Sequence, residues 1–263
     1  MLNREFGLNG VRILVTRPRP QAEGLCRLIE RQGGIALNFP TLEIKPLAQT
    51  DEIKAKLQAL NDYHWLIFIS ANAVNFALKA NNGKIEQFAE PRIAAVGGAT
   101  AKALKDHDLS VDLLPDQGFN SEALLQTSAM RAIAGQRCLI VRGRGGREML
   151  ADTLRQRGAS VDYLEVYQRT MPNRDISELL ALLQHNRLNA VTITSGEALQ
   201  NLLAMLGDDA PLLFSLPLVV ISDRIEQMAR QIGFKRILVT NSPADTAILQ
   251  TLTTLPWGKQ WPK

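Results

Sequence analysis

Two cysteines and three histidines in 263 residues leave little material for metal or thiol chemistry. Cys26 falls within a helical pattern and Cys138 opens an apolar strand pattern. Both read as small core residues of a reducing compartment, and neither a disulfide nor an unaided zinc site is expected. His64 precedes an apolar run, while His107 and His185 lie near helix ends, where a dipole role is expected rather than catalysis. No stretch approaches the ~20 uninterrupted apolar residues of a membrane helix. The opening MLNREFGLNGVRILV carries no apolar segment followed by a small-residue cleavage site, so no secretory leader is expected. A P-loop lysine, the dinucleotide glycine spacing, a nucleophile elbow, metal-ligand spacing and paired carboxylates near the turns are all missing. The net charge of +4 favours anionic ligands but is too small to point to nucleic acid.

What is present is an alternation of short apolar runs and amphipathic stretches. Runs at 11–16, 35–39, 65–69, 93–96, 111–114, 137–141, 161–166, 190–194, 218–221 and 236–240 read as buried strands. Helical patterns fill the intervals, and Gly33-Gly34, Gly158 and Gly233 end three of them. Ser121 reads as the N-cap of one more helix. Strands spaced by helices imply βαβ units and parallel sheets. So many strands fit two doubly wound α/β domains better than one sheet. Proline-marked extended stretches near 40–46 and 165–171 read as linker strands crossing between the domains. The first domain is then discontinuous, 1–39 plus 172–263, and the second spans 40–171. The tail 256–263, with Trp257 and Trp261, reads as irregular.

One junction recurs. An apolar run ends in a small or hydroxyl residue and then opens a helix, at Val15-Thr16-Arg17, Ile69-Ser70-Ala71-Asn72, Val96-Gly97-Gly98-Ala99-Thr100, Val141-Arg142-Gly143, Ile193-Thr194-Ser195-Gly196 and Ile221-Ser222-Asp223-Arg224. Each would set free backbone N–H groups at the carboxyl edge of a sheet, where open α/β folds bind ligands. The densest is Arg142-Gly143-Arg144-Gly145-Gly146-Arg147-Glu148: glycines admit close backbone approach, and arginines offer forked donors to carboxylate or phosphate. A tight turn with solvated arginines is the plainer reading, as helix capping is for Ser70 and Ser195. Thr100, in a first helical turn, is placed to offer a hydroxyl to an anion. Tyr167 follows an apolar run at the proposed hinge; it reads either as a packing residue or as a phenol able to assist a leaving group.

ILVTRPRPQA, FISANAV, AVGGATAKAL, RGRGGREMLADTLRQRGASVDYLEVYQR, TITSGEAL, VISDRIEQMARQIGF and SPADTAIL, in that order along nearly the whole chain, resemble the uroporphyrinogen-III synthase family. The resemblance implies two flavodoxin-like domains. It implies cyclisation of linear hydroxymethylbilane, a polycarboxylate tetrapyrrole, with loss of water and inversion of ring D. No cofactor and no metal is implied. Tyr167 corresponds to the family's cleft tyrosine, proposed to assist departure of the hydroxyl. Thr100, Ser70 with Ala71, and Ser195 with Gly196 correspond to its helix starts. Thr16 and Arg17, Arg142 and Arg147, and Ser222 with Arg224 take cleft-lining or structural roles; Asn72, Gly97 and Gly143 complete the expected substrate-binding set. A cytoplasmic monomer without nucleic-acid or membrane partners is expected, with transient contact to the preceding pathway enzyme. The rival readings are a cytosolic two-domain anion sensor and a nucleotide-sugar transferase, the latter disfavoured by the short chain.

Overall fold

The computed structural model describes residues 7–118 and 120–257. The chain opens with β1 (Arg12–Val15), α1 (Arg19–Arg31), β2 (Ile35–Asn38), β3 (Glu43–Pro46) and α2 (Asp51–Gln58). Then come β4 (Trp65–Phe68), α3 (Ala71–Ala80), β5 (Arg92–Ala95), α4 (Gly98–Lys105), α5 (Ser121–Gln126) and α6 (Ser128–Arg131). Next are β6 (Arg137–Gly143), α7 (Met149–Gln156), β7 (Ser160–Thr170), α8 (Ser177–Gln184) and β8 (Ala190–Ile193). The last elements are α9 (Gly196–Leu206), β9 (Pro217–Val220), α10 (Asp223–Ile232), β10 (Arg236–Val239) and α11 (Asp245–Thr253).

Two five-stranded sheets result, ordered β10-β9-β8-β1-β2 and β3-β7-β6-β4-β5. The pairings within the first sheet are parallel, as are β7-β6, β6-β4 and β4-β5 in the second. Their central strands are short and fully buried, WLIF in β4, AVTI in β8 and PLVV in β9, because helices cover both faces. α1 shows how a helix is fixed locally. Pro20 stands in its first turn, Ala22, Leu25 and Ile29 form its buried stripe, and Gly33 at φ +76° turns the chain back.

The chain divides into two compact units, residues 1–43 with 170–263 and residues 44–169. Each repeats one winding. In the first unit β1 is followed by β2 on one side, and β8 takes the other side. In the second, β4 is followed by β5 on one side, and β6 takes the other. The winding direction therefore reverses at β1/β8 and at β4/β6, and the carboxyl ends of those pairs are the ligand-binding crevices of such sheets.

Four expectations need correction or completion. Residues 111–114 do not form a strand; Leu113 makes an isolated bridge to Ala94, and Asp112 Oδ2 accepts from Ile93 N at 2.7 Å, so a side chain takes up a ladder donor. The cap of α5 is Asn120, whose Oδ1 accepts from Ala123 N at 2.7 Å, and Ser121 is the first helical residue. The extended stretches near 40–46 and 165–171 contain β3 and the end of β7, neighbours in the second sheet. Of the tail, Trp257 docks through its indole N–H on Leu252 O at 2.9 Å, and 258–263, with Trp261, lies outside the described residues. The first six residues of the opening segment also lie outside them.

Candidate active site

At the β4/β6 crevice of the second unit, Ser70 caps α3: its Oγ accepts from Ala73 N at 3.1 Å. That leaves the Ala71 and Asn72 amides at the helix start. Gly97 caps α4 without a side chain, and Thr100, 4% exposed, follows in the first turn with no hydrogen bond from its hydroxyl among the described residues. Neither α3 nor α4 carries an acidic residue in its first turn. Their positive ends are uncompensated and suited to an anion. In the first unit the corresponding helices α9 and α10 do carry acids there, Glu197 in α9 and Asp223 and Glu226 in α10.

Tyr167 is 2% exposed rather than open to a cleft. Its ring stacks on Phe76, with centroids 5.6 Å apart, and its Oη lies 3.1 Å from Ser70 Oγ. A bulge brings it there. β6 pairs Arg142 with Glu165 but Gly143 with Tyr167, so Val166 is extra and both Val166 and Tyr167 enter the same core. Gly143 must be glycine for this packing, since a Cβ there would lie 2.5 Å from Tyr167 Cε2. Ser70, half-buried, therefore stands between the buried phenol and the crevice rim.

Arg142, expected to grip a ligand, does not present its fork. It is 3% exposed, Nε and Nη2 donate to the Gly143 and Gly145 carbonyls, and Nη1 donates to Glu148 Oε1 at 3.0 Å. A strand-end arginine flanked by glycines folds back onto its own loop, because the loop's carbonyls are the nearest acceptors. Arg147 differs: its side chain is 80% exposed and pairs with Glu122 at 3.1 Å, a surface contact that a ligand carboxylate can displace. Tyr163 Oη donates to Glu148 Oε2. That bond, and the Arg142 cation, hold the Glu148 carboxyl below its ordinary range, while burial first and Glu148 second push the Tyr163 phenol up.

The first unit's edge is more self-contained. Thr16, fully buried, donates to Thr192 O at 2.8 Å and Thr192 returns a bond to Leu14 O at 3.1 Å, so Thr16 joins β1 to β8 rather than facing a ligand. Arg17 pairs with Asp245 and donates to Pro243 O. Ser195 caps α9 through Ala198 N at 3.0 Å. Gly196 is buried, with Met228 Cε 3.1 Å from where its Cβ would stand. Ser222 starts α10 without a side-chain cap, and Arg224 is exposed.

The sequence reading gave no site role to Glu148, Tyr163, Phe76 or Asp245. Glu148, Tyr163 and Asp245 carried a signal, since each lies inside a family-like segment; Phe76 is placed by packing. Among the described residues no cluster of histidine, cysteine, aspartate or glutamate could hold a metal ion, and no helix is long and apolar enough to cross a membrane.

The solved structures that the fold resembles include a mutant uroporphyrinogen III synthase from the extremely thermophilic bacterium Thermus thermophilus (TM-score 0.61, 19% identity, 93% of this chain and 98% of that one). Uroporphyrinogen-III synthetase from Helicobacter pylori 26695 is another (0.58, 16%, 93% and 99%). At these identities the likeness concerns the fold. In sequence, the chain is 35% identical to uroporphyrinogen-III synthase of Escherichia coli (strain K12) over 91% of its length and 99% of the relative. It is 36% identical to that of Salmonella typhimurium, with the same coverage. These relatives favour the enzyme reading and give none to the sensor. A family model described as uroporphyrinogen-III synthase HemD matches residues 23–250. The chain belongs to the uroporphyrinogen-III synthase family.

Proposed function

We infer that this protein is a uroporphyrinogen-III synthase, a cyclising lyase of tetrapyrrole biosynthesis. It closes linear hydroxymethylbilane to uroporphyrinogen III, expelling the hydroxyl as water and inverting ring D through a spiro-type intermediate. The observation that carries the site assignment is the Ser70–Tyr167 hydroxyl pair at the β4/β6 crevice, beside two helix starts free of acids.

The chemistry asks for little from any one residue. The bilane brings eight carboxylates, and the Ala71, Asn72 and Gly98 amides with Arg147 supply matching donors. Thr100 adds a hydroxyl. The Ser195-Gly196 and Ser222-Arg224 turns and Arg17 are further candidates for carboxylate contact, whereas Thr16 and Arg142 act on the backbone. Tyr167 assists departure of the hydroxyl through Ser70, whose proton position the phenol sets. Holding the chain ends of the substrate close lowers the barrier to closure by several kcal/mol. Attack at the substituted carbon of ring D must be favoured over simple closure, since unassisted closure yields isomer I.

The protein is further read as a cytoplasmic monomer of two domains, meeting the preceding pathway enzyme transiently; sedimentation at micromolar concentration tests the monomer. For the activity, freshly made hydroxymethylbilane is incubated with the protein, the product is oxidised, and isomers are resolved. Isomer III is expected. Isomer I alone, at the spontaneous rate, would refute the assignment.

A further inference from the structure

Arg142 carries a full charge almost out of water, an arrangement that persists only when the charge is paired and its N–H groups are satisfied. Its partners are two residues with no role so far. Glu148 offers one carboxylate oxygen to Arg142 Nη1 at 3.0 Å and the other to the Tyr163 hydroxyl. The Tyr163 ring lies under the guanidinium, 4.7 Å from ring centroid to Cζ. On the same ring sits Arg155, at 5.5 Å, held in turn by Asp152 and by Val161 O at 3.1 Å. The guanidinium of Arg142 is thus fixed from below and from one side.

What it holds is the glycine loop. The Gly143 and Gly145 carbonyls accept from Arg142, and the Gly145 amide donates to Glu165 Oε1 at 3.2 Å. The amides of Gly146 and Arg147 have no partner among the described residues. Gly145 and Gly146 stand at φ +73° and +115°, and a Cβ on Gly146 would lie 2.6 Å from Arg142 Nη2. The loop is therefore moulded around the guanidinium, with the Gly143 and Gly145 carbonyls engaged and two amides left over.

We propose that Glu148 and Tyr163 are positioning residues: they lock Arg142, and through it shape the Gly143–Arg147 loop to receive a carboxylate of the substrate. This rests on the synthase reading above. Neither residue touches substrate, so their loss should weaken binding rather than chemistry. The parent protein, Glu148→Gln, Tyr163→Leu and Tyr163→Phe are compared for kcat, KM and the share of isomer I, with thermal melts alongside. Glu148→Gln and Tyr163→Leu are expected to raise KM about tenfold, the scale of one charge-assisted hydrogen bond, with kcat within about twofold. Tyr163→Phe keeps the ring beneath both guanidinium groups and should restore most of the parent KM, with a rise of about threefold or less. The share of isomer I should rise with KM, as substrate escapes to spontaneous closure. Glu148→Gln preserves shape and decides alone if Tyr163→Leu does not fold. A folded Glu148→Gln protein with parental KM overturns the proposal, as does a loss confined to kcat. A parent protein that makes no isomer III overturns the synthase reading itself, and the proposal with it.

Discussion

Tyr167 and Gly143 form one structural unit, and each explains the other. The phenol is buried against Phe76, reaches Ser70 at 3.1 Å, and needs the absence of a side chain at Gly143. Tyr167→Phe keeps the ring and removes only the hydroxyl. It should slow kcat on the order of 100-fold, within the range for a proton-handling group, without abolishing turnover. An unchanged kcat would remove the phenol from the chemistry. Gly143→Ala forces the ring to move and should cost about 1–3 kcal/mol together with turnover. Gly135→Ala is the matched control. Gly135 sits at φ +73° with nothing within 4 Å of its would-be Cβ, so it should lose about 1–2 kcal/mol to backbone strain and keep kcat. Equal loss of kcat in both would show that the Gly143 contact does not hold the ring in place. At this scale the sequence was only half legible. The residue types at the strand ends were plain, yet Arg142 turned inward and Tyr167 became buried. The first follows from the loop carbonyls beside Arg142, the second from one extra residue opposite the Arg142/Gly143 step, and a bulge leaves no mark in hydrophobic periodicity.

Among elements, the strand-to-helix junctions look alike in sequence but differ in what their caps do. Ser195 Oγ satisfies a helix amide and Ser222 Oγ does not. Ser195→Ala should therefore cost about 1 kcal/mol in urea unfolding, and Ser222→Ala within about 0.5 kcal/mol. Comparable losses would mean the two junctions share one geometry. The alternation of elements was readable because parallel strands buried on both faces need apolar runs, and glycines at positive φ punctuate the helices. Residues 111–114 and Ser121 misled for the opposite reason. The polar side chains of Asp112 and Asn120 replaced backbone groups, and such local competition is decided by geometry. A similar polar tie joins the turn before β4 to β7, where Tyr63 Oη donates to Asp162 Oδ2 at 3.0 Å. Burial first, and Asp162 second, push this phenol up from 10.0 to about 12. A folded value above the unfolded one stabilises fully below the unfolded value and is lost as pH rises between the two. Urea midpoints should accordingly fall between pH 10.0 and about 12 more steeply in the parent than in Tyr63→Phe. Parallel curves would mean that the phenol titrates normally.

For the molecule as a whole, the winding divides the labour of folding unequally between the two units. One core cluster covers each face of each sheet, and every residue of a cluster belongs to the unit of that sheet. The second unit is continuous, 44–169, and all the strands of its sheet but Glu43 of β3 and Thr170 of β7 come from that segment. Its 126 residues match the usual size of an independently stable domain. The first unit is assembled from both ends of the chain: β1 reaches its inner partner β8 only after residue 189. Ile13 and Val15, fully buried in the complete protein, would lose the cover of Ala190, Val219, Ile248 and Leu252 in any fragment that stops before them. The excised segment 44–169 should then be soluble and unfold in one cooperative transition. A fragment 1–169 should show the same transition, with residues 1–43 unprotected in hydrogen exchange, because two strands and one helix cannot close a core by themselves. Protection of β1 and β2 amides in the 1–169 fragment would show that the amino-terminal segment holds its structure without β8. A non-cooperative melt of 44–169 would show that the second unit depends on the rest of the chain.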